Sequence, residues 1–278
     1  MTTYGQVVSE LAGKLEQIGE ENQALSYVFK ELKGWTTTDF ILHLRESISQ
    51  EDFALLTQIY EQLAQYIPAQ HIMGSAYFMD LKLKVNQHVL IPRPETEELV
   101  ELILSENSRA DLRILDMGTG SGAIAIALKQ ARPDWSVTAV DISQEALAIA
   151  SENAAADHVD IEFILSDVYE NVQENFDIIV SNPPYIAYED VHEVGKNVYE
   201  YEPHSALFAD ENGLAIYRKI LVGSANVLRQ DGKIYFEIGY KQGQDILALA
   251  NQYLPQYEAR VVQDIYKKDR MVILDGNK

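Results

Sequence analysis

Apolar residues fall into three successive patterns along this chain. From Tyr4 to about Gln65 the spacing is helical: Val7, Leu11 and Leu15 recur every fourth position, as do Ala24, Val28 and Leu32. Gly34 followed by Thr36, Thr37 and Thr38 before Asp39 reads as a helix stop and a capped restart. Phe40, Leu42 and Leu44, then Phe53, Leu55, Ile59 and Leu63, continue the theme, so a bundle of four or five short helices is predicted. Between Ser75 and Ile91 the period drops to two, with Tyr77, Met79, Leu81, Leu83 and Val85 alternating. Asn86-Gln87 supplies a turn before Val89-Leu90-Ile91, which predicts a β-hairpin. A helix is expected from near Thr96 through Glu97, Leu99, Val100 and Ile103.

After Leu112 strands and helices alternate. Apolar runs at Arg113–Leu115, Val137–Val140, Ile161–Leu165, Ile178–Val180 and Ile234–Ile238 are separated by helical stretches at Ala123–Ala131, Gln144–Ala155 and Leu214–Leu228. Such alternation implies an α/β fold, a mostly parallel sheet covered on both faces that binds ligand at the carboxyl ends of its strands. Tyr257–Val262 and Met271–Leu274, joined by a turn at Lys267–Asp269, predict a closing antiparallel hairpin. The expected organisation is a helical domain over residues 1–70, a hairpin linker over 71–95 and a catalytic domain over 96–278. The helical domain carries no ligand-binding motif and serves either as a stabilising cap or as a partner-docking module.

Charge narrows the partners. Across 278 residues, 22 Lys and Arg face 43 Asp and Glu, a formal net charge of −21. Nucleic-acid affinity depends on neutralising phosphates with cations, so this balance argues against direct DNA or RNA binding and favours a protein partner. With no cysteine, disulfides, thiolate metal sites and cysteine nucleophiles are excluded. The six histidines lack ligand spacing, so no metal is expected. The acidic start is unlike a secretory signal, and no apolar run approaches the ~20 residues that cross a bilayer. A cytoplasmic monomer with no membrane association is expected.

The first candidate site is Asp116-Met117-Gly118-Thr119-Gly120-Ser121-Gly122, which follows a strand and opens a helix. Glycines there let the backbone turn tightly and approach a ligand closely. Nicotinamide and flavin proteins use similar loops, but Asp116 repels a pyrophosphate and suits a ligand's ammonium group, directly or through water. Asp141, at the tip of the next strand, can accept both hydroxyls of a ribose. Asp167, after the third strand, can accept from an adenine amino group, with Val168 against the ring. Asp141 or Asp167 alone reads equally as a capping or loop carboxylate; three acidic residues on successive strand tips beside a glycine loop point to an adenosine ligand with a charged amino-acid tail.

The second is Asn182-Pro183-Pro184-Tyr185 after the fourth strand. Consecutive prolines fix the backbone and leave carbonyls free to face a cleft. The Asn182 side-chain oxygen and the Pro183 carbonyl can hold both hydrogens of a planar NH₂ group and aim its nitrogen at an electrophilic methyl. Tyr185 can lie against the planar face. This is catalysis by orientation and electrostatic placement.

Asn182 to Tyr185 together with the glycine loop resembles the N-methyltransferases as a group, DNA adenine enzymes included. Val89 to Glu97 (VLIPRPETE) more narrowly resembles the release factor glutamine N5-methyltransferase family, as do Gln70 to Gly74, Asn182 to Ile186, Glu202-Pro203 with Ala206-Leu207, and Phe236 to Gly239. The resemblance implies a class I S-adenosylmethionine-dependent methyltransferase fold, Rossmann-like with a C-terminal antiparallel hairpin, behind a small helical bundle. It implies S-adenosyl-L-methionine held by Asp116, Gly118, Thr119, Gly120, Ser121, Gly122, Asp141, Asp167, Val168 and Asn182. The substrate is then the glutamine of a Gly-Gly-Gln sequence in peptide chain release factors, held by Asn182, Pro183, Pro184 and Tyr185, with the N-terminal helices docking the factor. Arg93 and Glu97 brace the rim or form a structural ion pair. Val168, where relatives carry an aromatic residue, and Asp80, where glycine is expected, depart from the pattern. Residues 185–201 are expected to be a rim loop. Competing readings are glutamine methylation of a ribosomal protein, adenine N6-methylation of nucleic acid, and a module that senses the cofactor without turnover.

Overall fold

A computed structural model describes residues 2–276, and its chain divides into two units: Met1–Ser75 with Gly195–Tyr201, and Ala76–Val194 with Glu202–Lys278.

The first unit is helical: α1 (Tyr4–Gln17), α2 (Asn22–Lys33), α3 (Thr37–His43), α4 (Gln50–Leu63) and α5 (Ala69–Met73). Thr3 starts α1 with a reciprocal capping box to Gln6, and Thr36 starts α3 in the same way with Asp39. Val7, Leu11 and Leu15 meet Leu25, Val28, Phe29, Leu56, Ile59 and Leu63 in one core. On α2 the buried stripe is Leu25, Val28 and Phe29, whereas Leu32 is exposed. The strict four-residue series through Ala24, Val28 and Leu32 drifts around the helix, because an apolar face follows a period of 3.6. Asp52 is buried beneath this surface, its carboxylate accepting from the Tyr4 hydroxyl at 2.5 Å and from Lys33 Nζ at 2.7 Å.

In the second unit, β1 (Ser75–Phe78) and β2 (Leu81–Lys84) make a two-stranded hairpin, followed by α6 (Pro94–Glu106). The chain then runs through β3 (Arg113–Met117), α7 (Ala123–Ala131), β4 (Ser136–Asp141), α8 (Gln144–Ala156), β5 (Glu162–Leu165) and β6 (Phe176–Ser181). After α9 (Lys196–Tyr201), which groups with the helical unit, come α10 (Asp210–Gly213), α11 (Ala215–Ser224), β7 (Leu228–Glu237), α12 (Gly243–Tyr253), β8 (Glu258–Gln263) and β9 (Asp269–Asp275). The large sheet has the order β5-β4-β3-β6-β7-β9-β8, parallel except where β9 pairs antiparallel with β7 and β8. One face packs under α6 and α7 through Leu99, Ile103, Ile126 and Leu128; the other packs under α11 and α12 through Tyr217, Ile220 and Ile246. Every residue of β6 is buried, as expected of a strand covered on both sides. From β3 the chain winds outward to β4 and β5, then returns to β6 on the other flank of β3. That reversal opens a crevice at the carboxyl ends of β3 and β6, where open α/β sheets place ligands.

Several expectations shift. The hairpin turns at Met79-Asp80, where Met79 takes φ 51°, and not at Asn86-Gln87. Ala76 and Phe78 therefore face inward and Tyr77 outward, because the turn reverses the alternation. Val89 to Ile91 is extended but unpaired, and Val89 and Ile91 bury beside Ala146 and Ile149. Phe78, Leu81 and Leu83 of the hairpin belong to the sheet's own core. Helix α6 starts at Pro94, since proline suits a first helical position. The expected helix at 214–228 stops at Ser224, and Leu228 already begins β7. Residues 185–201 are largely helical, with a 3₁₀ turn at Tyr188–Glu193 and then α9, and Tyr201 donates its hydroxyl to the Gln65 carbonyl at 2.8 Å. Among the described residues no helix is long and apolar enough to cross a membrane, and no cluster of three His, Asp or Glu has metal-binding geometry.

Candidate active site

The glycine loop leaves β3 with Gly118, Gly120 and Gly122 all at positive φ, a region that side-chain-bearing residues avoid. A Cβ on Gly122 would press 3.0 Å from Ile126 and 3.2 Å from Ala150, so this glycine lets α7 and α8 close together. At Gly118 and Gly120 the same direction is open space. Asn153 on α8 braces the loop from behind, donating to the Ser121 carbonyl at 2.8 Å while exchanging hydrogen bonds with the backbone of Lys84.

One cavity brings together Gly118, Thr119, Gly120, Ser121, Asp141, Asp167, Val168, Asn182, Pro183 and Pro184. Asp141 is held by two backbone N–H groups, Gly120 to Oδ2 and Ser143 to Oδ1, each at 2.9 Å. Burial pushes its carboxyl above the ordinary range, and these N–H donors offset part of that. Ile142, exposed directly after Asp141, adds an apolar wall that follows from the same strand tip. Asp167 reaches the cavity with its carboxylate ion-paired to Lys219 at 3.0 Å, so its side chain is already engaged. Val168 sits at φ 51°, a strained conformation for a β-branched residue.

Three anticipated site residues stand off the cavity wall. Asp116 is fully buried: its Oδ2 accepts from the Thr119 hydroxyl at 2.7 Å, while Oδ1 has no hydrogen-bond partner. Burial pushes its carboxyl up to about 7, with the Thr119 hydroxyl opposing. Gly122 caps α7 from behind the loop. Tyr185 packs its ring against the core cluster that holds Tyr217 and Phe236, and burial pushes its hydroxyl up to about 12. Its carbonyl accepts from Gln242 Nε2 at 2.9 Å and abuts Gly213, where a Cβ would lie 2.0 Å away.

Partners far along the chain fix this turn. Asn182 Nδ2 donates to Thr96 Oγ1 at 3.1 Å, and Thr96 Oγ1 donates to Glu237 Oε2 at 2.6 Å. Glu237 is buried at the end of β7, and its burial pushes the carboxyl up to about 7. Arg93 pairs with the buried Glu202 at 2.6 Å and not with Glu97, whose carboxylate accepts from the Met79 N–H. Glu202 also accepts from the Ile91 N–H at 3.0 Å, so one carboxylate joins the cavity-lining segments around Arg93 and Pro203.

Comparison with known proteins completes the picture. A family model described as PrmC N-terminal domain matches residues 6–74, and one described as Methyltransferase small domain matches residues 95–200. A methyltransferase from Pyrococcus furiosus shares the fold, with a TM-score of 0.54 at 16% identity over 81% of this chain and 98% of that one. The release factor glutamine methyltransferase of Streptococcus pneumoniae is 52% identical over 98% of both chains. That of Lactococcus lactis is 51% identical over 91% of this chain and 94% of its own. Likeness of that depth, along nearly the whole length, means that the chain belongs to the release factor glutamine methyltransferase family.

Proposed function

We propose that this protein methylates the side-chain amide nitrogen (N5) of the glutamine in the Gly-Gly-Gln sequence of peptide chain release factors, using S-adenosyl-L-methionine. The observation that carries the reading is that Asn182, Pro183 and Pro184 line the same cavity as Gly118 to Ser121 and Asp141. Family membership and the names of the relatives support the substrate.

The residues present fit the cofactor. Open space over Gly118 and Gly120 admits a ligand against the loop, and the orphaned Asp116 Oδ1 suits an ammonium group reached through a bridging water. Asp141, already organised by Gly120 and Ser143, keeps lone pairs for ribose hydroxyls. Ile142 and Val168 offer apolar surface to an adenine ring; with Asp167 tied to Lys219, that surface carries more of the contact than the carboxylate. When bound, the cofactor supplies a methyl group on a positively charged sulfur, an electrophile that needs no further activation.

The protein's own task is to place a poor nucleophile. An amide nitrogen delocalises its lone pair into the carbonyl, so geometry matters more than a base. Asn182 Oδ1 and the Pro183 carbonyl accept the two amide hydrogens, and the rigid Pro-Pro backbone keeps the pair of acceptors from relaxing. The amide nitrogen would form its bond to the methyl carbon as that carbon's bond to the positively charged sulfur breaks, the electron pair staying on sulfur as a neutral thioether, and one N–H proton would pass to water. The helical unit supplies a docking surface for the folded release factor, for which the exposed Ile41 and Leu42 on α3 are suited.

Incubation with labelled cofactor, purified release factor, ribosomal protein and DNA tests the assignment. Label is expected on the release factor alone; label in DNA or in a ribosomal protein, or nowhere, overturns it.

A further inference from the structure

An asparagine amide presents an oxygen at one end and an NH₂ at the other, and only the oxygen can hold a substrate's amide hydrogens. The two ends have nearly the same shape, so the hydrogen-bond network around the amide decides which way it faces. Around Asn182 that network is short and directional. Thr96 Oγ1 lies 2.6 Å from Glu237 Oε2 and 3.1 Å from Asn182 Nδ2. A hydroxyl has one hydrogen to give. If it goes to the Glu237 carboxylate, which has none to return, Thr96 can only accept from its other neighbour. The Asn182 end facing Thr96 is then the NH₂, and Oδ1 is the end left for the cavity that Asn182 lines.

We propose that Thr96 and Glu237 are positioning residues for methyl transfer: the buried carboxylate polarises the Thr96 hydroxyl so that the Asn182 amide presents its oxygen, and not its NH₂, to the substrate. This rests on the reading of Asn182 as an acceptor for the substrate amide. The burial of both residues supports it, since Thr96 is 4% and Glu237 1% exposed and bulk water competes little for the bond between them. The chain also reverses on protonation. A neutral Glu237 donates to Thr96, whose hydrogen is then free to point at Asn182, and the amide turns its NH₂ to the cavity. Arg270 on β9, Arg93 and Glu95 beside the start of α6, Tyr185 and Tyr217 are the other charged or titratable groups around Glu237. Of these the two arginines favour the carboxylate and Glu95 opposes it.

The test compares Thr96→Val, Thr96→Ser and Glu237→Gln in the full-length protein with saturating cofactor and purified release factor. Thr96→Val keeps the shape and removes the relay, so kcat is expected to fall ~100-fold, the scale of a misplaced reacting group. Cofactor affinity by calorimetry should change little, while Tm should fall by several degrees because the buried Glu237 carboxylate loses its donor. Thr96→Ser restores a hydroxyl and should recover most of kcat. In the wild type kcat should drop on the acidic side of neutrality, and Glu237→Gln should lack that limb. Undiminished kcat in Thr96→Val, failure of Thr96→Ser to recover it at unchanged Tm, or an acid limb that survives in Glu237→Gln overturns the proposal. Wild-type turnover on the release factor separates the two failures. Its absence overturns the substrate assignment, whereas its persistence in Thr96→Val overturns the positioning role alone.

Discussion

The hydroxyl of Ser181 donates to the carbonyl of Met117 at 2.6 Å, with Ser181 fully buried. These residues end β6 and β3, so the bond adds to the β3–β6 ladder at the point where one strand opens the glycine loop and the other opens the Asn-Pro-Pro-Tyr turn. The spacing between the glycine loop and the Asn-Pro-Pro-Tyr turn is thus set by the sheet.

Ser181→Ala removes the donor and leaves a buried carbonyl short of a partner, at a cost of about 1–2 kcal/mol. For a domain of this size that lowers Tm by roughly 2–8 °C. Activity should fall further than stability does, by on the order of tenfold in kcat/KM, because the tie nearest the mouth of the site is lost while the β3–β6 ladder behind it remains. A variant with normal kcat/KM and a lowered Tm would reduce this bond to a packing detail.

With Asp116 as the proposed water-bridged partner of the cofactor's ammonium, cofactor binding is expected to depend on pH. Its folded carboxyl is raised by burial to about 7 from an unfolded value of 3.8, so the folded chain holds the proton more tightly than the unfolded one. Between those values stability therefore falls as pH rises. A bound ammonium reverses the preference and keeps the carboxylate charged. S-adenosylmethionine affinity should accordingly climb as pH rises through about 7, by up to about tenfold per pH unit below that point. The rise in Tm on adding cofactor should be larger at pH ~8 than at pH ~6 by the same linkage. Asp116→Asn should lose both trends, and 5′-methylthioadenosine, which has no ammonium, should show neither. Glu237, also raised to about 7, contributes the same slope in both proteins, so their difference isolates Asp116.

Val168 holds φ 51°, which for a β-branched residue costs on the order of 1–3 kcal/mol. Val168→Gly releases that strain while giving up apolar contact and adding freedom to the unfolded chain. Tm should hold within a few degrees, and cofactor affinity should weaken roughly fivefold, the worth of about 1 kcal/mol of lost apolar burial. A large drop in Tm would show that the Val168 side chain stabilises the fold more than its backbone strains it.

What sequence made legible was the local part of this site. Gly118 and Asn182 directly follow strands and Asp141 ends one, and an apolar run ending in a polar or glycine-rich segment is readable without a structure. Thr96, Glu237 and Asn182 are 141 and 86 residues apart along the chain, and no spacing rule joins them. Tyr185 is expected at the substrate because it ends the Asn-Pro-Pro-Tyr motif, whereas its carbonyl is held by Gln242 against Gly213 and its ring packs against the core. The hairpin register failed where an alternating run hides a turn: Met79 and Asp80 continue the alternation that their backbone breaks. The helix α12 went unread although Ile246 and Ala250 bury at helical spacing, because it begins at Gly243, an uncommon place to start one.

The most direct test is the mass of the Gly-Gly-Gln peptide from a release factor treated with enzyme and S-adenosylmethionine, comparing wild type with Asn182→Ala. A gain of one methyl on the glutamine is expected with the wild type. With the variant no gain is expected, although calorimetry should still show cofactor bound. An unmodified peptide from the wild-type reaction, or full methylation by Asn182→Ala, would contradict the account.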